Sequence, residues 1–380
     1  PLLYGIIGLS LFSAIYSLYG GLKAVAWTDV IQVIFLIGGG LITTLLALDA
    51  VSGGEGVLAG FKELVVQAPE RFHMIIEQGT MSIPDGTEGA TKDAFADLPG
   101  VAVILGSMWL TNICFWGFNQ YIIQRGLAAK SVKQAQYGLA FAAFLKMFVP
   151  VLVIVPGIAA YVLHADIGKS DEAYPLLLNN IVPPGVTGLA FAALAAAVVS
   201  SLSSIINSAS TIFTMDIYKG YIKPNATDKD LVRIGRIFAF IALAIATLIA
   251  PKFASLDQVY PLIQEYTGFI YPGVFLIFFL GMFWRKATAN AALWTAILTL
   301  PLGFLIKVFV PEIPFILRIG YVFIILTFVF VWISLTDKKH LISSPALHQT
   351  ARSKTIRMGW IIVAIASVVG IIAAFFVKQF

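Results

Sequence analysis

Charge is what this sequence has least of. Asp, Glu, Lys and Arg make up 12% of its 380 residues, while 59% are hydrophobic. A globular chain is about a quarter charged, and half that share cannot cover a water-facing surface of this size. There is one cysteine, Cys114, which excludes a disulfide framework and any multi-cysteine zinc or iron–sulfur centre. The four histidines (His73, His164, His340, His348) lie far apart, which argues against a histidine metal cluster. An initiating methionine is lacking too: the chain opens on Pro1, which predicts a further N-terminal part. The net charge of +5 is dispersed between apolar runs instead of gathered into a patch, which argues against a nucleic-acid partner.

What is present is lipid-compatible sequence, with a mean hydropathy of +0.90. A spanning helix needs about 20 mostly apolar residues. Runs of that kind fall at 1–21, 26–50, 100–124, 137–163, 185–217, 234–252, 258–283, 288–309, 315–336 and 358–378. Backbone groups in lipid must be satisfied within the segment, so the pattern predicts an all-α polytopic membrane protein of about ten transmembrane helices. A tight turn at Gly20-Gly21 is expected to separate the first two runs. Nothing resembles a cleaved signal peptide. The stretch 56–72 reads as an amphipathic helix on the membrane surface, and 79–98 as a Gly/Asp-rich mobile loop.

Basic residues orient the spans. One set of alternate loops holds Lys23, Arg125, Lys130, Lys133, Lys219, Lys223, Lys229, Arg233, Arg236, Arg285, Lys286, Lys338, Lys339, Arg352, Lys354 and Arg357, 16 of the 25. The other set has 8: Lys62, Arg71, Lys92, Lys169, Lys252, Lys307, Arg318 and Lys378. The bias predicts that the first set is cytoplasmic, in a multi-pass protein of the cell (plasma or inner) membrane. Lys146 alone is left inside a span, about nine residues or roughly 13 Å deep at 1.5 Å per residue.

An ionisable group at that depth is a functional candidate by default; Lys146 is either a donor to a polar solute or site carboxylate, or a structural ion-pair partner. The run 185–217 contains Ser200, Ser201, Ser203, Ser204, Ser208, Ser210 and Thr211. Small residues serve close helix packing, yet hydroxyl and carbonyl oxygens are also the neutral hard ligands of a small cation. The Ala197 carbonyl with the Ser200 and Ser201 hydroxyls, at i, i+3 and i+4, converges on one side of a helix. Two runs look broken: 100–124, by Asn112, Trp116, Gly117, Asn119 and Gln120, and 258–283, by Gln264, Glu265, Tyr266 and Thr267 between Pro261 and Pro272-Gly273. Such interruptions mark binding sites in secondary transporters; a kinked helix is the plainer reading. Asp29, after Trp27-Thr28, reads either as an N-cap or as an acid on a cation's way to the cytoplasm.

The segments TNICFWGFNQYIIQRGLAAKS (111–131), FAAFLKMFVP (141–150), FAALAAAVVSSLSSIINSASTIFTMDIYK (191–219) and IQEYTG (263–268) resemble the solute:sodium symporter family, most of all its bacterial sodium/sugar cotransporters. YGGLKAVAWTDVIQ (19–32) and LGMFWRK (280–286) extend the likeness over nearly the whole chain. The resemblance implies part of an inverted pair of five-helix repeats. Residues 1–50 would be the last two helices of the first repeat, and 51–99 an extracellular loop. Residues 100–283 would be the second repeat with site residues, and 284–380 peripheral helices. It implies sodium at Ala197, Ser200 and Ser201, sugar contacts at Asn112, Lys146 and Gln264, and cation passage past Asp29. Trp116 matches an inner-gate aromatic, as does Phe115, where relatives commonly carry tyrosine.

The function so implied is secondary active transport, with inward sodium movement driving sugar uptake by alternating access. A sodium symporter of another small solute (an amino acid, vitamin or carboxylate) and the membrane module of a sensor are the alternatives. An intramembrane enzyme would be expected to carry a paired His/Asp or metal constellation in its spans, and the sequence has none. Its partners are then a sugar, sodium and the bilayer.

Overall fold

The computed structural model describes residues 2–73, 75–84, 91–97, 100–163, 170–255 and 259–337. The expected span 358–378 lies outside the described residues. Seven helices among those described are long and apolar enough to cross a membrane, or eight if one bent pair is a single span. The chain divides into two compact units, residues 1–72 with 120–257, and 73–119 with 258–380.

In the first unit, α1 (Leu2–Val51) is made of two helical runs that meet at Gly21, at the break expected there. The junction survives as a kink at Gly21, whose φ of 55° and ψ of −155° suit a residue without Cβ. Within the helix expected at 56–72, Val57–Gln67 forms α2, which packs on α1 where Gly60 meets the Leu48 carbonyl. Helix α4 (Gln120–Leu127) leads into α5 (132–163). Pro150 has no N–H to donate to the Lys146 carbonyl, so the first segment of α5, Val132–Lys146, ends there. A widened π turn, Pro150–Ile154, follows. Pro156 cannot donate either, and the Val155 N–H is spent on Pro150, so the Thr44 hydroxyl of α1 satisfies the Val151 carbonyl at 2.9 Å. A short helix, α6 (Ala173–Asn180), lies in a stretch that the sequence reads as loop.

Helix α7 starts with Pro184 in its first turn, runs to Ile212 and continues as widened turns to Ile222. It lies along much of α1, and the approach is close because the facing residues are small. A Cβ on Gly39 would come within 2.6 Å of the Ala193 Cβ. Helix α8 (Asp228–Ile249) begins with a reciprocal capping box between Thr227 and Asp230. Ala14, Ile206, Ala239 and Leu243 form the core between α1, α7 and α8.

In the second unit, the described part of the stretch 79–98, expected as a mobile loop, includes a short hairpin. There Ser82–Pro84 (β1) and Thr91–Asp93 (β2) pair antiparallel, with Ser82 opposite Asp93. The Asp93 carboxylate ties the segment by accepting from the Gly79 and Phe95 N–H groups. Helix α3 (100–118) carries two π turns, Ile104–Met108 and Cys114–Phe118, and ends where Asn119 turns extended. The run 258–283 is broken as expected: α9 (Val259–Gly268) and α10 (Tyr271–Phe283) meet at 45°. Helices α11 (Ala289–Phe309) and α12 (Phe315–Thr336) complete the unit. Its core is aromatic, with Phe275 edge-on to Trp109 and to Phe323 at 5.7 and 5.6 Å between ring centroids.

Candidate functional site

Three helices of the first unit build a polar network. Asp29 sits inside α1, not at an N-cap, and its side chain is 14% exposed. The Arg125 guanidinium of α4 donates to Asp29 Oδ2 from Nε at 3.0 Å and from Nη2 at 2.5 Å. The same Nη2 reaches Ser204 Oγ at 2.5 Å, and Nη1 donates to the Tyr121 carbonyl at 2.9 Å. Ser200 Oγ of α7 donates to the other carboxylate oxygen, Asp29 Oδ1, at 2.5 Å. The Ser203 and Ser204 hydroxyls both turn back onto the Ser200 carbonyl, at 3.0 and 2.7 Å. Gln124 extends the network by accepting from Asn207 Nδ2 at 3.0 Å. The carboxylate is thus matched by one guanidinium, a charge-assisted arrangement stronger than a neutral hydrogen bond.

This geometry has a chemical consequence. A serine hydroxyl that gives its proton to a carboxylate keeps both lone pairs for another electrophile. Ser200 therefore offers a neutral oxygen with its donor already committed, one turn after Ala197 and beside Ser201. Ala197 and Ser200 are half-buried on α7 and Ser201 is exposed. Of the expected cation residues, the structure brings Asp29 and Ser200 into contact. Arg125, Gln124 and Asn207 were missed by sequence reasoning. The QYIIQR run places Gln124 and Arg125 at the edge of a span, a signal that assigns a side of the membrane but names no partner 96 residues away.

The expected solute contacts are divided between the units. Lys146, in the first, is exposed at the end of the α5 segment that Pro150 interrupts. Asn112, in the second, is exposed on α3 and donates to the Met108 carbonyl at 2.8 Å. Gln264 is half-buried on α9 and donates to the Tyr260 hydroxyl at 2.9 Å. Phe115 and Trp116 meet edge to face with centroids 5.2 Å apart. Trp116 is 41% exposed, so an aromatic surface is available for stacking.

Kinked, proline-interrupted helices and hydroxyl-rich polar contacts inside apolar spans define a multi-pass membrane protein of the secondary-transporter class. The sodium:solute symporter family matches residues 1–299, and the chain belongs to that family. It is 43% identical over 389 residues to the sodium/glucose cotransporter of Vibrio parahaemolyticus, an alignment covering 96% of this chain and 69% of that protein. It is 33% identical over 325 residues to human sodium/myo-inositol cotransporter 2, covering 78% of this chain and 46% of the relative. The chain therefore spans about half the length of the inositol cotransporters. In fold it is similar to an outward-open, substrate-bound Na+-coupled sialic acid symporter, with a TM-score of 0.71 at 21% identity over 89% of this chain and 67% of that one.

Proposed function

We propose that this chain carries out sodium-driven uptake of a sugar by alternating access. The observation that carries the reading is the contact of Ser200 with Asp29 under the Arg125 clamp. It supports the reading by setting an oriented hydroxyl oxygen next to an acid in the hydroxyl-rich segment of α7. Sodium is held by the Ala197 carbonyl and the Ser200 and Ser201 hydroxyls, and leaves toward the cytoplasm past Asp29. Sugar hydroxyls pair with Asn112, Lys146 and Gln264, while Phe115 and Trp116 cover the ring faces. Residues 100–283 act as the second repeat, with 284–380 peripheral to it. The likeness to glucose and inositol cotransporters supports a neutral polyol as the solute.

Coupling follows from reciprocity: if bound sodium raises sugar affinity, bound sugar raises sodium affinity by the same factor. The membrane potential adds about 2.3 kcal/mol per charge per 100 mV to inward movement. The test is uptake of radiolabelled monosaccharides into vesicles holding the full chain, with and without an inward sodium gradient. Accumulation that ignores sodium, or that no monosaccharide competes, overturns the reading. Competition by carboxylates alone would assign Lys146 to an acidic solute.

A further inference from the structure

Beside the expected solute contact Gln264 stands an acid that the transport reading leaves unused. Glu265 Oε1 accepts from Arg318 Nη1 at 2.8 Å and from Lys307 Nζ at 2.9 Å. Three helices, α9, α11 and α12, thereby converge on one carboxylate oxygen. Arg318 is 6% exposed, although its place near a span end suggests an ordinary loop charge. Its Nη2 also reaches the Ile313 carbonyl at 3.4 Å, and its guanidinium carbon lies 5.9 Å from the centroid of the Phe269 ring.

Apolar contacts close on the same turn. A Cβ on Gly268 would come within 2.6 Å of Ile319 Cδ1, and one on Gly303 within 2.5 Å of Phe269 Cδ1. The residue after Arg318 and a residue one turn before Lys307 thus grip the end of α9, just ahead of the 45° bend. Helix α9 has ten residues and packs mainly on α12 and α10. A helix that short takes its position from tertiary contacts, not from its own cooperativity. A buried ion cluster adds little net stability over apolar replacements, but it penalises every arrangement in which one charge is stranded. Its effect here is to select one rotation of α9. Successive helical residues point about 100° apart, so with Glu265 turned toward α11 and α12, Gln264 points to one side of them. There it meets the Tyr260 hydroxyl one turn earlier on its own face.

We propose that Glu265, clamped by Arg318 and Lys307, is a positioning residue that fixes α9 and thereby places Gln264 for the solute. The proposal rests on the solute role of Gln264 given above, and two readouts keep the two apart. The first is the sugar KM of Glu265→Gln and Arg318→Gln in vesicles at saturating sodium. Each is expected to raise KM about tenfold, with the maximal rate and the sodium half-saturation within about twofold. The double variant removes the carboxylate and the buried guanidinium together, leaves only the 41% exposed Lys307 side chain without that partner, and is expected to be no worse than Glu265→Gln alone. It also carries the test if Arg318→Gln does not fold.

The second readout is independent of any substrate. A membrane-impermeant maleimide is reacted with Tyr260→Cys in the full chain, with and without Glu265→Gln. A labelling rate changed several-fold is expected if the clamp sets the position of α9. An unchanged labelling rate with an unchanged KM would overturn the proposal, as would equal shifts in sugar and sodium dependence. Altered labelling in a protein that transports no sugar would uphold the clamp and overturn the sugar reading.

Discussion

Ser200 Oγ and Asp29 Oδ1 are 2.5 Å apart although 171 residues separate them in sequence. The bond orients the serine oxygen from behind, through an acid that Arg125 already neutralises. With sodium at the proposed Ser200 site, its affinity is then a property of α1, α4 and α7 acting together.

Ser201→Ala removes one proposed sodium ligand without touching the Asp29 contact. The sodium concentration for half-maximal uptake is expected to rise about tenfold, the effect of roughly 1.4 kcal/mol of lost binding. Sodium-dependence curves at fixed sugar check this, and an unchanged curve returns the serine cluster to helix packing.

Arg125→Gln leaves the Asp29 carboxylate without its cation in a partly buried site. With Arg125 35% and Asp29 14% exposed, the expected loss is below that of a fully buried pair, about 1–2 kcal/mol of stability. Arg125→Lys keeps the charge but not the fork that reaches Asp29 and Ser204 at once, so its sodium dependence is expected to shift with little loss of stability. Thermal unfolding in detergent, alongside sodium titration of uptake, separates the two effects.

Close backbone geometry makes two glycines sensitive. Gly21→Ala puts a Cβ at φ 55°, ψ −155°, with an expected cost of about 1–3 kcal/mol. Gly60→Ala drives its Cβ into the Leu48 carbonyl oxygen, which is backbone and cannot rotate away. The outcome expected is loss of α2 from α1, read as new protease cleavage near 57–67 and a lower unfolding midpoint.

Lys223 lies outside the spans and donates to Asp230 at 2.7 Å, a bond that lifts its pKa above the ordinary lysine value. A raised lysine pKa means that the interaction is fully present below the unfolded pKa. It is lost as pH climbs through the folded one. A side-chain NMR titration above about pH 10 should show a late Lys223 midpoint. Asp230→Asn should return it to the usual range.

The spans were legible because a 20-residue apolar run has few other uses, and the break between α9 and α10 because Pro272-Gly273 interrupts one. The break inside α1 was legible too, since Gly20-Gly21 offers the backbone freedom that a sharp junction between two helices needs. Asp29 and Ser200 stood out singly as polar residues in apolar surroundings. Their meeting was hidden, because sequence spacing specifies neighbours on one helix and not across two. Charge counting sorts residues by their place in the sequence and is blind to packing. Arg318 was placed with the loops and is buried against Glu265, whereas Lys146, read as the intramembrane cation, is exposed. The hairpin at 82–93 escaped notice because three-residue strands are too short to show alternation.

The pairing of Asp29 with Arg125 has an electrical consequence. A carboxylate locked to a guanidinium presents the transmembrane field with a dipole and no net charge. A field exerts net force on a monopole, at about 2.3 kcal/mol per charge per 100 mV, and only torque on a dipole. With sodium bound as proposed, the work done by the membrane voltage at this network goes into the arriving ion, instead of into dragging the helices that receive it.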